Sequence, residues 1–269
     1  MNLDHKSSLK QLNYKADDYS FDKIESMAED LSNEMKLGSR PACSLRKILE
    51  EKYNIKIFYY DLGISGSASS AVGKFGYAIL INSSEPVWRR NFDLAHELFH
   101  ILTWSIFKHE DVHRNDGTKS IVEQWADAFA ASLLLPQVEV SREFKNKMQN
   151  NLISLVDIVA IAREFEVSTE ALMWRLVNLK LLERSEVRKI LDSDSFKKID
   201  MTERTADHKQ APEISDRYFS LAFKTFTKGL ISKSILAEYL NLNISDVGKK
   251  LAEHGYNLEE VYDAEIIAA

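Results

Sequence analysis

The segment Asn91 to Trp104 limits the fold more than any other, because it is apolar nearly all the way round: Phe92, Leu94, Ala95, Leu98, Phe99, Ile101 and Leu102. A helix of that kind has no face for water and belongs in the middle of a core. It nevertheless carries His96-Glu97-Leu98-Phe99-His100, an H-E-x-x-H pentapeptide. Bare His and Glu inside a core are costly without partners. Residues four apart share one helix face, so both imidazoles can point at a single ion. Glu97 is offset from that axis by about 100°, close enough to touch water on the ion without joining the ligands. A divalent ion lowers the pKa of such a water toward about 7, and a carboxylate can then take its proton. The motif therefore points to a zinc peptidase, with His96 and His100 as metal ligands and Glu97 as catalytic base.

A catalytic zinc site wants three protein ligands and one open position. The next helix, about Ser120 to Leu135 and stopped by Pro136, supplies Glu123. It follows His100 by 23 residues (123 − 100), enough for a loop and an antiparallel return. Glu123 also stands three after Ser120, a capping-box spacing that would merely start a helix; the neighbouring H-E-x-x-H tips the reading to ligand. Asp127 lies one turn on, placed to accept a hydrogen bond from the free ring nitrogen of a ligating histidine, although an exposed helix acid is the bland reading. The small residues Ala126, Ala128, Ala130, Ala131 and Ser132 let the two helices approach closely. His109 and His113 in the polar loop between the two helices, and Tyr77, are weaker candidates for stabilising an oxyanion; for the histidines a solvated loop is the simpler reading. Gly73-Lys74-Phe75 lacks the pattern of a phosphate loop.

The rest of the chain reads as α+β. Helical spacing covers 21–36 and 45–53, strands are expected at 55–62 and 75–82, and GISGSASSAVG (63–73) reads as a loop. Were FGYAILIN (75–82) a sheet edge beside the active helix, its backbone could pair with an extended peptide; an ordinary buried strand is the alternative, since both alternating sets are apolar. Shorter helices fit 152–165 and 169–182, and helical periodicity returns at 214–229 and 232–253. The charged stretch 192–212 reads as a linker or exposed loop. No run reaches the roughly 18 apolar residues of a membrane span, and residues 1–20 have no apolar signal core. The single cysteine, Cys43, excludes an internal disulfide and fits a cytoplasmic setting. A net charge of −6 argues mildly against nonspecific nucleic-acid binding as the main task.

The run GYAILINSSEPVWRRNFDLAHELFHIL, followed by VEQWADAFAASLLLP, resembles the ImmA/IrrE family of metallopeptidases. That family carries an Arg shortly before A-H-E-L-x-H and then E-x-x-A-N-x-F-A-A-x-L-L-x-P. The matching positions are Ile81 to Arg90, Ala95 to His100 and Glu123 to Pro136, with Asp127 where the family usually has Asn. The resemblance covers about residues 21–182. It implies zinc held by His96, His100 and Glu123, Glu97 as general base, and a compact zincin-like core at 21–150. That core would follow a polar segment, 1–20, and precede a helix-turn-helix-like segment at 151–191, the linker at 192–212 and a helical region at 213–269. The substrate it implies is a helix-turn-helix repressor, cleaved to release stress-response or mobile-element genes. The residues before Phe21 leave no room for the N-terminal helix-turn-helix of many relatives.

Two other functions compete with a peptidase. One is a transcription-regulating or toxin–antitoxin-like binding module acting without turnover, using 155–182 (Arg175, Asn178) or 229–256 (Lys249, Lys250). Those basic and amide residues are sparse for a DNA reader, so packing helices are the simpler reading. The other is a metal sensor without turnover.

Overall fold

Ser20 has extended backbone and its hydroxyl accepts from the Lys23 backbone N–H at 3.2 Å, so α1 (Phe21–Met35) begins with a filled cap. Pro41 starts α2 (Pro41–Glu51), where a missing N–H does no harm. Three strands follow: β1 (Lys56–Tyr60), β2 (Ala68–Gly73) and β3 (Gly76–Asn82). Their order is β1-β3-β2, with β3 parallel to β1 and antiparallel to β2. Then come α3 (Val87–Leu102), α4 (Ile121–Leu134), α5 (Gln137–Lys147), α6 (Leu155–Glu164), α7 (Thr169–Asn178), α8 (Arg184–Leu191) and α9 (Asp194–Ala206). This computed structural model describes residues 9, 19–107, 111, 118–206, 211–212 and 214–256. Among them no helix is long and apolar enough to cross a membrane.

The architecture is α+β, with a small sheet and a central H-E-x-x-H helix. Leu94, Ala95, Leu98, Phe99, Ile101 and Leu102 of α3 are all buried, as an all-round apolar helix requires. The sheet packs on α3, and so does α4; Phe99 and Phe129 meet with ring centroids 5.6 Å apart, and Ala126 and Ala130 are buried.

Two parts of the first unit differ from expectation. The stretch read as a loop contains the edge strand β2, and of the two readings of 75–82 the structure has the central strand, not the edge. The β2 sequence, ASSAVG, has little intrinsic preference for a strand. It forms one because β3 offers an unpaired side, and a two-residue turn at Lys74-Phe75 folds β2 back onto it. Residues 192–212, expected to be a linker or exposed loop, contain α9. Ser193 accepts from the Phe196 N–H, and Phe196 is buried. One aromatic anchor on an otherwise charged helix is too thin a periodicity to read.

The chain divides into two compact units between Ala211 and Pro212. The second has its own core, Phe219, Phe223, Leu236, Leu240, Val247 and Leu251, under α10 (Asp216–Thr227), α11 (Lys233–Tyr239) and α12 (Val247–Glu253). The helical periodicity at 232–253 resolves into two helices. Asn241, at φ 52, ends the first in the left-handed region.

Asn82 ties the sheet to the start of α3. Its buried amide nitrogen donates to the carbonyls of Gly63 (3.1 Å) and Gly66 (3.0 Å), and its oxygen accepts from the backbone N–H of Leu62 and Ser84 (both 3.1 Å). Asn82→Ala leaves several of these groups unpaired and should lower stability by roughly 3 kcal/mol. Urea unfolding measures this; a loss below about 0.5 kcal/mol would contradict the bracing role.

Candidate metal centre

Helix α3 places Arg89, Asp93, His96 and His100 at i, i+4, i+7 and i+11, a single face. That face looks into a cleft of about 1180 Å³. Residues Ser67 to Ser70, running into β2, form one wall, α4 another, and α7 contributes Ser168, Glu170 and Trp174. Trp88, Phe92, Trp104 and Phe107 give the cleft an aromatic lining.

At its floor, His96 Nε2 lies 3.1 Å from His100 Nε2, and the two oxygens of Glu123 lie 3.1 Å from His100 Nε2 and 3.3 Å from His96 Nε2. A tetrahedral ion with bonds of about 2.0–2.1 Å separates its ligands by about 3.3–3.4 Å. The triangle matches within a few tenths of an ångström, and the donor set, two imidazoles and a carboxylate, is one that zinc accepts. Among the described residues these three form the one group able to hold a metal ion. Only the serine half of the capping box forms: the Glu123 backbone N–H donates to the Ser120 hydroxyl at 3.2 Å, while the Glu123 carboxylate faces the imidazoles.

Asp127 Oδ1 is 3.0 Å from His96 Nδ1, and Lys119 Nζ pairs with Asp127 Oδ2. Burial works against a protonated His96, but the bonds to Asp127 and Glu123 outweigh it and raise its pKa from 6.5 to about 9. Burial likewise works against charge on Glu123, yet His100 and His96 hold its carboxyl far below the usual carboxylate range. Asp127 is lowered in the same way, with burial overcome by His96 and Lys119. Glu97 lines the cleft and is 9% exposed.

Of the weaker candidates, Tyr77 pairs with Val72 across β2 and β3 and packs against the hydrophobic core; it is not among the cleft residues. His109 and His113 lie outside the described residues. Arg175, weighed as a DNA contact, is 2% exposed and donates through Nε to the Leu135 carbonyl at 3.0 Å.

Sequence reading passed over Lys119, Arg89 and Asp93. The signal for Asp93 was a lone acid four residues before Glu97 on an apolar helix. Its side chain is 7% exposed, Oδ1 lies 3.2 Å from Arg89 Nε, and Oδ2 has no hydrogen-bond partner. Burial pushes its pKa up from 3.8 to about 6, against the pull of Arg89. Between those values the folded chain holds a proton that the unfolded chain has lost. Ionised Asp93 therefore costs stability as pH rises through about 4 to 6, and the full cost remains above 6. The metal-free Asp93→Asn variant should thus be more stable at pH 7.5, by at most about 3 kcal/mol, with the gain vanishing below about pH 4. Denaturant titrations at both pH values test this, and a less stable variant at pH 7.5 would refute it.

The family model described as "IrrE N-terminal-like domain" (Peptidase_M78) matches residues 50–177, which include the cleft strand and all three members of the triangle. No curated protein sequence matches the chain. A Mycobacterium tuberculosis structure titled "transcriptional regulator" is similar at 17% identity and a TM-score of 0.39, over 58% of this chain and 46% of that one. The chain thus spans less than half of that protein's length. Residues 50–177 are thus similar to the IrrE N-terminal-like domain of the Peptidase_M78 family.

Proposed function

We propose that the chain is a zinc-dependent endopeptidase whose substrate is a regulatory protein of the helix-turn-helix repressor type. The observation that carries the enzymatic part is the convergence of His96, His100 and Glu123, with ligand atoms within 4.8 Å of one another, beside Glu97 in an open cleft. The repressor is suggested by the family resemblance.

Bound by His96, His100 and Glu123, zinc would acidify a water and polarise a peptide carbonyl. Glu97, one residue round the helix from His96, takes the proton of the attacking water and passes it to the leaving amine. Asp127 fixes the His96 ring by accepting from Nδ1, which turns the Nε2 lone pair toward the ion; Lys119 balances the acid's charge. Strand β2 pairs with β3 on one side only among the described strands. Its other edge borders the cleft and can add an extended peptide by main-chain hydrogen bonds. A DNA-binding reading of the first helix pair loses support from Arg175, which is buried and bonded within the fold.

Glu97→Gln should retain zinc and lower peptide cleavage by on the order of 10²- to 10⁴-fold. Zinc content and fragment formation from a panel of helix-turn-helix repressors measure the two effects. Normal cleavage by the variant would remove Glu97 from the mechanism.

With the His96 pKa near 9 in the metal-free chain, ion uptake at pH 7.5 should expel a proton from that ring. Calorimetry in buffers of different ionisation enthalpy should report about one proton released per zinc, fading as pH passes 9. Binding without proton release at pH 7.5 would contradict the site.

A further inference from the structure

The proposed chemistry leaves Arg89 and Asp93 without a task. We propose that Arg89 is the anchor for a carboxylate of the bound peptide, about three residues from the scissile bond, and that Asp93 is its positioning residue. This rests on the peptidase reading of the cleft.

Position comes first. Arg89 precedes His96 by seven residues on one face of α3, which puts it about 10 Å along the helix axis. An extended peptide advances about 3.3 Å per residue, so a chain lying along β2 with its reacting carbonyl at the proposed ion brings the third residue away beside Arg89. The guanidinium also spans the two walls that such a peptide would lie between. Its Nε is 3.2 Å from Asp93 Oδ1 on α3, and a terminal nitrogen is 3.4 Å from Ser67 Oγ at the start of the edge strand.

Accessibility decides the sign of the ligand. Asp93 is 7% exposed, and its second oxygen is sealed from solvent. Arg89 is 42% exposed and lines the cleft. A ligand can therefore reach the cation and not the acid. A guanidinium offers five donors in a planar fork, and the two contacts above leave donors to spare. The matching acceptor is a carboxylate, held by two parallel hydrogen bonds. Asp93 holds the fork before the ligand arrives, so less side-chain freedom is lost on binding. A Lys here would keep the charge and lose the fork.

The carboxylate has two sources, an Asp or Glu side chain within the peptide or its free C-terminus. The test is a positional library of fluorescent decapeptides, each position Asp/Glu or Asn/Gln and each pool with a free or amidated C-terminus. Binding is read by anisotropy on the zinc-loaded protein and, in parallel, cleavage is read by mass spectrometry. At one position, or at the free C-terminus, the acidic pool should bind on the order of tenfold tighter than its amide match. Arg89→Met should erase that gap, with Arg89→Lys and Asp93→Asn intermediate; Arg89→Met/Asp93→Asn serves as a second variant without an unpaired buried acid. A gap following C-terminal amidation assigns the anchor to the chain end, and a gap at an internal position assigns it to a side chain. Equal binding of acidic and amide pools, or a gap that survives Arg89→Met, overturns the proposal. Cleavage without an acidic preference sinks the anchor and keeps the peptidase; an Arg89-dependent preference without cleavage does the reverse.

Discussion

Two imidazoles and a carboxylate crowd within 3.1–3.3 Å of one another where α3 and α4 pack together. Such a cluster is unfavourable unless something positive sits among the ring nitrogens. In the metal-free chain a proton on His96 serves: against burial, the hydrogen bonds to Asp127 and Glu123 raise its pKa to about 9. In the loaded chain the proposed ion replaces it. The arrangement cannot relax by spreading apart, because Leu98, Phe99, Ala126, Phe129 and Ala130 are packed without solvent behind it. The apolar helices thus act as a clamp, and polar function is confined to the one face of α3 that looks into the cleft.

Around that clamp, each neighbouring element presents something to the same opening. The hairpin β2–β3 supplies a sheet edge, Asn82 locks the chain leading from the sheet into α3, and Asp127 with Lys119 steadies the outer nitrogen of His96. Arg89 and Asp93 continue the functional face two turns up the helix. Burial holds the Asp93 carboxyl above its ordinary range, a perturbation characteristic of residues kept for a site rather than for the fold.

Spacing alone left Glu123 open between ligand and cap, and the neighbouring motif pointed to the grouping of His96, His100 and Glu123 that the fold brings together. H-E-x-x-H on an apolar helix leaves no bland home for its polar residues, and Glu123 at the start of a small-residue helix completes the set. The cap itself belongs to Ser120, which accepts from the Glu123 N–H and fixes the backbone from which the carboxylate projects. What escaped was set by tertiary context. Strand β2 has no pattern of its own and exists because β3 has an open side. Helix α9 hangs on Phe196. Arg89, Asp93 and Lys119 look like ordinary surface charges until the fold brings them to the cleft.

The central claim is that one divalent cation is shared by three side chains from two helices. Diffraction from zinc-loaded crystals, measured at the zinc absorption edge, tests it most directly. The account requires one anomalous peak about 2.0–2.2 Å from His96 Nε2, His100 Nε2 and a Glu123 carboxylate oxygen. A peak elsewhere, or one with Glu123 outside bonding distance, would contradict it.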